Sequence, residues 1–492
     1  MALVFAALVL SCQYLLPERF AVNAPLGRML FGWSGELPEA SQIRNRMQVP
    51  PGFSIGVYAQ GIQPSARFLR FTEAGDLLVS TPRSGGIVLL ERDSNGDGRA
   101  DGMRILLSEL NRPHGIEIRD GWLYVGEADA IARIRFDAAT GQVSGELERI
   151  VTGLPGGGNH WTKTLRFGPD GWLYMHVGSS CNVCFEDDER RATIMRFRAD
   201  GSEGQIYATG LRNSVGFDWH PSTGDLYATD NGRDLLGDNF PPCELNKIVE
   251  GAFYGWPIAN GDRVPDPDVG QGQEQRIAAS ISPAHHFRAH NAPLGITFVR
   301  SERVPPAYRH AALVALHGSW NRSKKDGYKV VSLHWEPDGS IREQDFATGF
   351  EVDDDVIGRP VDVVEGPDGA FYVSDDYAEA VWRIAYGEEA DGERLPATIE
   401  GPDPLAALPE VERKQLSDAG EVLYEQFACA ACHEPEAAAT GIAVKRLEKL
   451  HQRYTIDSLS LLFETPPQPM PLYPLSQEQR RALAVHLLET RR

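Results

Sequence analysis

The chain has 492 residues, 24% of them charged, and a formal net charge of −21 at pH 7. So acidic a surface lacks the basic patches that phosphates need, which excludes a nucleic-acid partner. The length allows two or three domains, and 49 glycines with 33 prolines, dispersed along the chain, point to a turn-rich β protein and not to a disordered one.

Residues 1–16 form an apolar run broken by Ser11, Cys12, Gln13 and Tyr14. The run is shorter than the ~20 residues of a spanning helix and lacks a basic n-region. Val9-Leu10-Ser11-Cys12 is similar to a bacterial lipoprotein cleavage site. The segment reads as a signal, lipoprotein leader or membrane anchor, against the alternative of a buried segment, and it implies a periplasmic, membrane-attached protein. Residues 17–47 read as a connector.

From residue 48 to 386 one pattern recurs: a Gly or Asp-Gly turn, an apolar or alternating strand, then a polar loop. It stands at Gly75-Asp76-Leu77, Asp120-Gly121-Trp122, Asp170-Gly171-Trp172, Thr223-Gly224-Asp225, more weakly at Ala312-Leu313-Val314, and at Asp368-Gly369-Ala370. Spacings near 50 residues with several short strands per repeat predict a six-bladed β-propeller. The long gap between the fourth and fifth repeats, which holds Pro265-Asp266-Pro267-Asp268, predicts an insertion.

Within the first repeat, Asp93, Asn95, Asp97 and Asp101 match the first part of an EF-hand loop, with Gly98 at the sharp turn. Arg104 stands where the bidentate Glu belongs, so a second calcium site and a solvated turn both remain open. Cys181 and Cys184 read as a structural disulfide, with Cys243 as an alternative partner; a redox CxxC or zinc site are the rival readings.

Several loops gather unusual polar groups. Gly156-Gly157-Gly158-Asn159-His160 sets a His beside flexible backbone. Gly210-Leu211-Arg212-Asn213, Asp230-Asn231-Gly232-Arg233, His317 to Arg322 and Gly358-Arg359-Pro360 add cations from separate repeats. Each Arg alone is explained by a surface ion pair. Arg212, Arg322 and Arg359 together suit a small, planar polyanion, because guanidinium binds carboxylates bidentately.

Residues 387–414 read as a linker, and residues 415–492 as a small all-α domain. Ser417 is expected to cap a helix whose apolar face includes Val422, Leu423 and Phe427. It leads into Cys429-Ala430-Ala431-Cys432-His433, a CxxCH motif that reads as c-type haem attachment with His433 as proximal ligand. No second Cys or His pair follows to complete a zinc site. The stiff loop Pro466-Pro467-Gln468-Pro469-Met470-Pro471 offers Met470 as the distal iron ligand; His451 and His486 are its rivals. Ser476 is expected to start a last helix with Leu483, Val485, Leu487 and Leu488 on its apolar side.

This tail resembles a class I-like cytochrome c domain. From about residue 50 to 386 the chain resembles the pyrroloquinoline quinone (PQQ) dependent glucose/sorbosone dehydrogenases. The likeness is carried by Gly158-Asn159-His160, Gly168-Pro169-Asp170-Gly171, Gly210-Leu211-Arg212-Asn213, Glu244-Leu245-Asn246 and Tyr254-Gly255-Trp256-Pro257. The segments His317 to Arg322, Gly327 to Val331 and Gly358 to Val361 look most like the sorbosone branch. The resemblance implies His160 as general base, with Arg212, Asn213, Arg322 and Arg359 at PQQ. It also implies calcium held against PQQ by the carbonyls of Gly232 and Arg233. His114 and Asn159 stand where the soluble glucose enzymes have Gln and Asp, and Val361 replaces a second Arg.

The expected function is a quinoprotein dehydrogenase for a sugar, alcohol or aldehyde. Its haem would drain electrons singly to an external cytochrome, quinone pool or copper protein. The alternatives are a carbohydrate- or partner-binding propeller fused to a cytochrome, and a calcium-dependent lactonase, which needs a central carboxylate-rich metal site.

Overall fold

The computed structural model describes residues 21, 23, 46–62, 64–387, 404–406, 408–434, 447, 450, 454, 456–463, 466, 470, 471 and 473–491. The leader over residues 1–16, most of the connector, most of the linker and the rival ligand His451 lie outside the described residues. The chain divides into two compact units.

The first unit contains six four-stranded antiparallel sheets. Blades 1 to 5 occupy residues 69–107, 116–152, 165–209, 217–287 and 293–347, and blade 6 begins at residue 360. All six sequence repeats fall on the second strand of a different blade: Leu77–Thr81, Trp122–Gly126, Leu173–Val177, Leu226–Asp230, Ala312–Leu316 and Phe371–Asp375. In five of the six every residue of that strand is buried. A second strand packs against neighbouring blades on both faces, so its sequence runs apolar instead of alternating. The outer strand Gln142–Thr152 is mostly exposed and correspondingly polar.

The ring closes with a strand from the other end of the propeller sequence. Phe53–Gln60 pairs antiparallel with Ala380–Tyr386, Phe53 opposite Tyr386, as the outer strand of blade 6. Closure joins the two ends of the propeller sequence in one sheet.

Three carboxylates fasten alternate blades to the next. Glu117 of blade 2 accepts the backbone N–H of Phe167 in blade 3 at 3.2 Å. Asp218 of blade 4 accepts that of Phe298 in blade 5 at 2.8 Å. Asp362 of blade 6 accepts that of Leu69 in blade 1 at 2.9 Å. Arg300 grips both oxygens of Asp218 at 2.9 Å, and Arg70 pairs with Glu117 at 2.5 Å. Burial works against the charge on Asp218, but Arg166 and Arg300 hold its carboxyl below the usual range.

The expected insertion lies between the third and fourth strands of blade 4. It holds the short pair Ala259–Asn260 and Val264–Pro265 and a six-residue helix, Glu274–Ala279.

In the second unit a helix over Glu410–Gln426 packs on a helix over Gln477–Thr490. Gly420 permits the contact, since a Cβ there would stand 2.2 Å from the Ala482 carbonyl oxygen. The first helix corrects two expectations. It starts after Pro409, inside the stretch read as linker, so Ser417 is buried mid-helix and caps nothing. Val422 points to solvent, 61% exposed, whereas Leu423 is buried and Phe427 packs on the core. The last helix follows its sequence. Ser476 forms a capping box with Gln479, and Leu483, Val485, Leu487 and Leu488 are buried.

Candidate active site

In an antiparallel blade, the loop entering an innermost strand and the loop leaving a second strand lie at the same end. His114, Asn159, His160, Arg212, Asn213 and Arg359 all precede innermost strands. Gly232, Arg233, Arg322 and Cys181 follow second strands. Topology alone therefore gathers these residues at one end of the propeller. The Asp93 segment joins the third strand of blade 1 to the fourth, a connection of neither type.

His160 is the chemical centre of this end. Its Nδ1 lies 3.1 Å from the Ser179 carbonyl oxygen and 2.8 Å from Ser179 Oγ. The Ser179 hydroxyl donates to the Cys181 carbonyl at 2.8 Å, so both oxygens facing Nδ1 accept. The proton therefore sits on Nδ1 and the lone pair on Nε2. Burial, then the charge of Arg212, lowers the ring to about 3. Gly178 makes room for it: a Cβ there would stand 2.5 Å from the His160 Cβ.

Arg212 is 4% exposed and spends every guanidinium N–H on the protein. Nε donates to Asn182 O at 2.9 Å, and Nη1 to Asn231 O and Gly232 O at 3.1 and 3.0 Å. Nη2 donates to Asn182 Oδ1 and Asp234 Oδ2 at 2.9 and 3.1 Å. It thus ties the loops of blades 3 and 4 and supplies charge from within them. One lone pair of the Gly232 carbonyl is already engaged.

Arg322 is buried, donates to Asp238 O and to Ala289 O (3.2 Å), and keeps a buried Nε with no partner. Arg359 donates from Nη2 to His317 Nδ1 at 3.1 Å. His317 Nε2 faces Asp376 at 3.0 Å, and Asp376 pairs with Arg67 at 2.7 Å. Burial, then Arg359, lowers His317 to about 4. Asn213 is buried with Oδ1 unpaired, and Asn159 is exposed at the loop tip.

His114 is 1% exposed, its Nδ1 3.3 Å from Thr164 Oγ1 and its Nε2 unpaired. It lines a narrow axial space with Phe68, Val215, Gly295, Val361 and Asp362, whose one carboxylate is Asp362.

A second feature was not foreseen. Arg212, Asp230, Asn231, Gly232, Arg233 and Glu244 line a cavity of about 20 Å³, the space of one water molecule or ion. Burial pushes Asp230 up to about 7, and burial with the Asp230 charge pushes Glu244 to about 8. Asn231 Oδ1 has no partner. Two buried carboxylates whose pKa values stay raised although Arg212 lies beside Asp230, next to a spare amide oxygen, suit a hard oxygen-seeking ion. In sequence Glu244-Leu245-Asn246 carries only the family likeness; the burial of Glu244 that gives it a role shows only in the fold. The Arg233 side chain turns away to Asp266, at 2.8 and 2.7 Å.

The Asp93 loop gives a different picture. Asp93 accepts the backbone N–H groups of Gly96, Asp97 and Gly98, and Asp101 accepts from the Ser94 backbone N–H at 3.1 Å and from its hydroxyl. Among the described residues the one cluster of three metal-ligand atoms is Cys181, Cys184 and Glu186. Its two sulfurs are joined in a disulfide, and Cys243 is buried and free.

In the helical unit, Cys429 and Cys432 are free thiols on either side of one turn ending at His433. Cys429 and Met470 both pack on the rim of the same apolar core. The rival ligand His486 is buried in that helix pair, its ring 5.9 Å from Tyr424.

Comparison with known proteins agrees with the propeller. The TrAA12-like family matches residues 47–246 and 266–386. A PQQ-dependent pyranose dehydrogenase of Coprinopsis cinerea is 25% identical over 418 residues, covering 70% of this chain and 56% of its own length. An uncharacterised protein of Borreliella burgdorferi is 27% identical over 369 residues, 70% of this chain and 93% of that one. Among solved structures, the holo PQQ domain of the Coprinopsis cinerea pyranose dehydrogenase has a TM-score of 0.59 at 22% identity, covering 69% of this chain and 97% of the domain. A family AA12 enzyme of Trichoderma reesei reaches 0.60 at 20% identity, covering 69% and 98%. These structures share the six-bladed fold, and with the family match covering more than half its length the chain belongs to the TrAA12-like family.

Proposed function

We propose that this chain is a quinoprotein dehydrogenase that oxidises a sugar, alcohol or aldehyde at the loop end of its propeller. The observation that carries the reading is His160, held through Nδ1 by Ser179 with its lone pair on Nε2, beside the charges of Arg212 and Arg191. The relative named as a PQQ-dependent pyranose dehydrogenase makes pyranoses the first substrates to try. The motif likeness to the sorbosone branch adds aldehyde sugars.

The residues fit a planar polyanion. Arg322 keeps a buried Nε–H donor without a partner, and Arg359 is braced through His317 and Asp376; the unpaired Oδ1 of Asn213 only accepts, so it would face an N–H of the ring system and not a carboxylate. These three would hold PQQ, with Arg212 adding charge through the loops it ties. The Gly232 and Arg233 carbonyls would face calcium. When bound, PQQ supplies the two-electron acceptor for a hydride and calcium polarises it as a Lewis acid.

His160 Nε2 takes the hydroxyl proton of the substrate. The cation so formed is opposed by Arg212 and favoured by Asp234, whose carboxyl is held low, against burial, by His290 and Arg212. The ring is thus a weak base that returns its proton readily. Its Nδ1 stays fixed on Ser179 throughout, which keeps Nε2 aimed.

In the helical unit, Cys429 and Cys432 would bind a c-type haem, with His433 and Met470 on its iron. Such a haem accepts electrons singly and passes them to an external cytochrome, quinone pool or copper protein. Haem attachment at CxxCH would require a periplasmic protein, and the apolar run over residues 1–16 would serve as its leader or anchor. Among the described residues no helix is long and apolar enough to cross a membrane.

The lactonase alternative needs a carboxylate-rich metal site on the axis. Asp230 and Glu244 stand on the second and third strands of blade 4 instead. Titration of the metal-free chain with PQQ, followed by protein fluorescence with and without calcium, tests the reading. Saturable, calcium-dependent quenching is expected; absence of binding overturns it.

A further inference from the structure

The loop between the second and third strands of blade 3 carries a small covalent ring, Cys181-Asn182-Val183-Cys184, closed by the Cys181–Cys184 disulfide. Asn182 lies inside this ring, half-buried, and uses nearly all its polar atoms on blade 4. Its carbonyl accepts Arg212 Nε at 2.9 Å and Trp256 Nε1 at 3.4 Å. Its Oδ1 accepts Arg212 Nη2 at 2.9 Å and the Asp234 N–H at 2.8 Å. Its Nδ2 donates to the Asp234 carbonyl at 3.1 Å.

The same loop holds the base. Ser179 meets His160 Nδ1 through two oxygens, and its hydroxyl is fixed by the Cys181 carbonyl. Ser179 N–H donates to the Arg212 carbonyl at 2.8 Å. Ser180, between them, is clamped by Glu186 at 2.7 and 2.6 Å. Four consecutive residues therefore link the proposed base, the Arg212 guanidinium and Asp234. A loop of this length without regular structure keeps such a register only if something restricts its torsions. The Cys181–Cys184 disulfide does this covalently, and the Ser180–Glu186 hydrogen bonds span the same ring from outside.

We infer that Asn182 is a positioning residue for the proposed oxidation, and that the Cys181–Cys184 ring holds it in register so that Arg212 and Asp234 stay fixed against His160. The inference rests on the dehydrogenase reading for its consequence in turnover, but the geometry it describes exists in the unloaded chain. Both sulfurs are half-buried, so a small dithiol reaches them. Such a reagent breaks the S–S bond, leaves two protonated thiols, and is itself oxidised to its cyclic disulfide.

The test uses the full chain in four forms: native, Asn182→Ala, Asn182→Asp, and the pair Cys181→Ser with Cys184→Ser. The first readout is the nitrogen NMR spectrum of His160 in the metal- and quinone-free protein, assigned by its loss in His160→Gln. Native His160 is expected to stay neutral and Nδ1-protonated as the pH falls through about 6.5. Asn182→Ala and the Cys pair are expected to mix tautomers and to titrate closer to the ordinary His value. Asn182→Asp keeps the Oδ1 acceptor and should recover part of the native spectrum. The second readout is turnover after loading with PQQ and calcium, with a dye as acceptor. Asn182→Ala should lower kcat roughly ten- to hundredfold, with KM for the sugar changed much less. Dithiol treatment of the native chain should mimic the Cys pair and leave the pair itself unaffected.

A native His160 spectrum in Asn182→Ala, or in the native chain after dithiol reduction, overturns the inference whatever the turnover. If Asn182→Ala fails to fold, the dithiol-treated native chain decides alone. If native protein binds no quinone while the NMR shifts appear, the dehydrogenase reading fails and the positioning of His160 stands.

Discussion

His160 Nδ1 lies 2.8 Å from the Ser179 hydroxyl oxygen, and that hydroxyl donates its hydrogen bond to the Cys181 carbonyl. The relationship fixes a tautomer without any ligand. It also divides the ring: Nδ1 anchors, and Nε2 would take the proton in the proposed oxidation. A base fixed in this way needs no change of protonation state on binding substrate.

The pH dependence of turnover follows. With the ring lowered to about 3 by burial and Arg212, kcat/KM should stay level as pH falls through the ordinary His range near 6.5. It should drop only as the pH nears about 3. Stability should behave differently. Unfolding returns His160 and His317 to ordinary pKa values, so below about 6.5 the unfolded chain binds more protons and is favoured. In urea unfolding between neutral and acid pH these two histidines should contribute a loss of stability, set against the gain from Asp230 and Glu244, while turnover holds.

The Asp230–Glu244 cavity has the opposite sign. Both carboxyls are raised in the folded state, to about 7 and about 8. Their ionisation disfavours the fold as pH rises from the ordinary carboxylate range towards those values. Calcium should relieve this, so the Tm increase on adding calcium should be larger at about pH 8 than at about pH 6. Glu244→Gln should shrink the increase and raise the Tm of the metal-free form at the higher pH. Thermal melts with calcium and with chelator read both.

The blade fasteners can be tested alone. Asp218→Ala leaves the buried Phe298 N–H without its acceptor, while Arg300, 47% exposed, turns to water, and should cost about 1–3 kcal/mol in urea unfolding. Cutting an exposed pair such as Arg198–Glu203, whose side chains are 48% and 59% exposed, should cost under about 1 kcal/mol.

In the helical unit, Cys429→Ser with Cys432→Ser should abolish the covalently bound haem, scored by haem staining after denaturing electrophoresis. Sugar oxidation with a dye acceptor should continue. Met470→Ala should keep the haem and lower its reduction potential, measured by redox titration.

Much of the propeller was legible because each blade writes a local signal, a Gly turn before a buried strand. The site loops were legible because Gly, His and Arg are unusual beside such strands. What the sequence hid depends on distant pairing. Asp362 meets Leu69 across 293 residues, and Phe53–Gln60 completes a blade whose other strands lie at the far end of the propeller. No local pattern marks either. Arg212 looked like a ligand contact; the structure spends its donors on Asn182, Asn231, Gly232 and Asp234, and Asn182 carried no signal in the sequence. Ser417 misled for the reverse reason. A good capping residue sits mid-helix because Pro409, with its fixed φ, had already started the helix.

The central claim is that His160 starts sugar oxidation whose electrons reach the haem. The most direct measurement mixes the PQQ- and calcium-loaded chain with an aldopyranose, without oxygen, and follows the haem α band. The native protein should show the band rise to full reduction, and His160→Ala should bind PQQ yet leave the haem oxidised. Haem reduction at the native rate in His160→Ala, or no reduction of the native haem by any sugar, alcohol or aldehyde, would contradict the account.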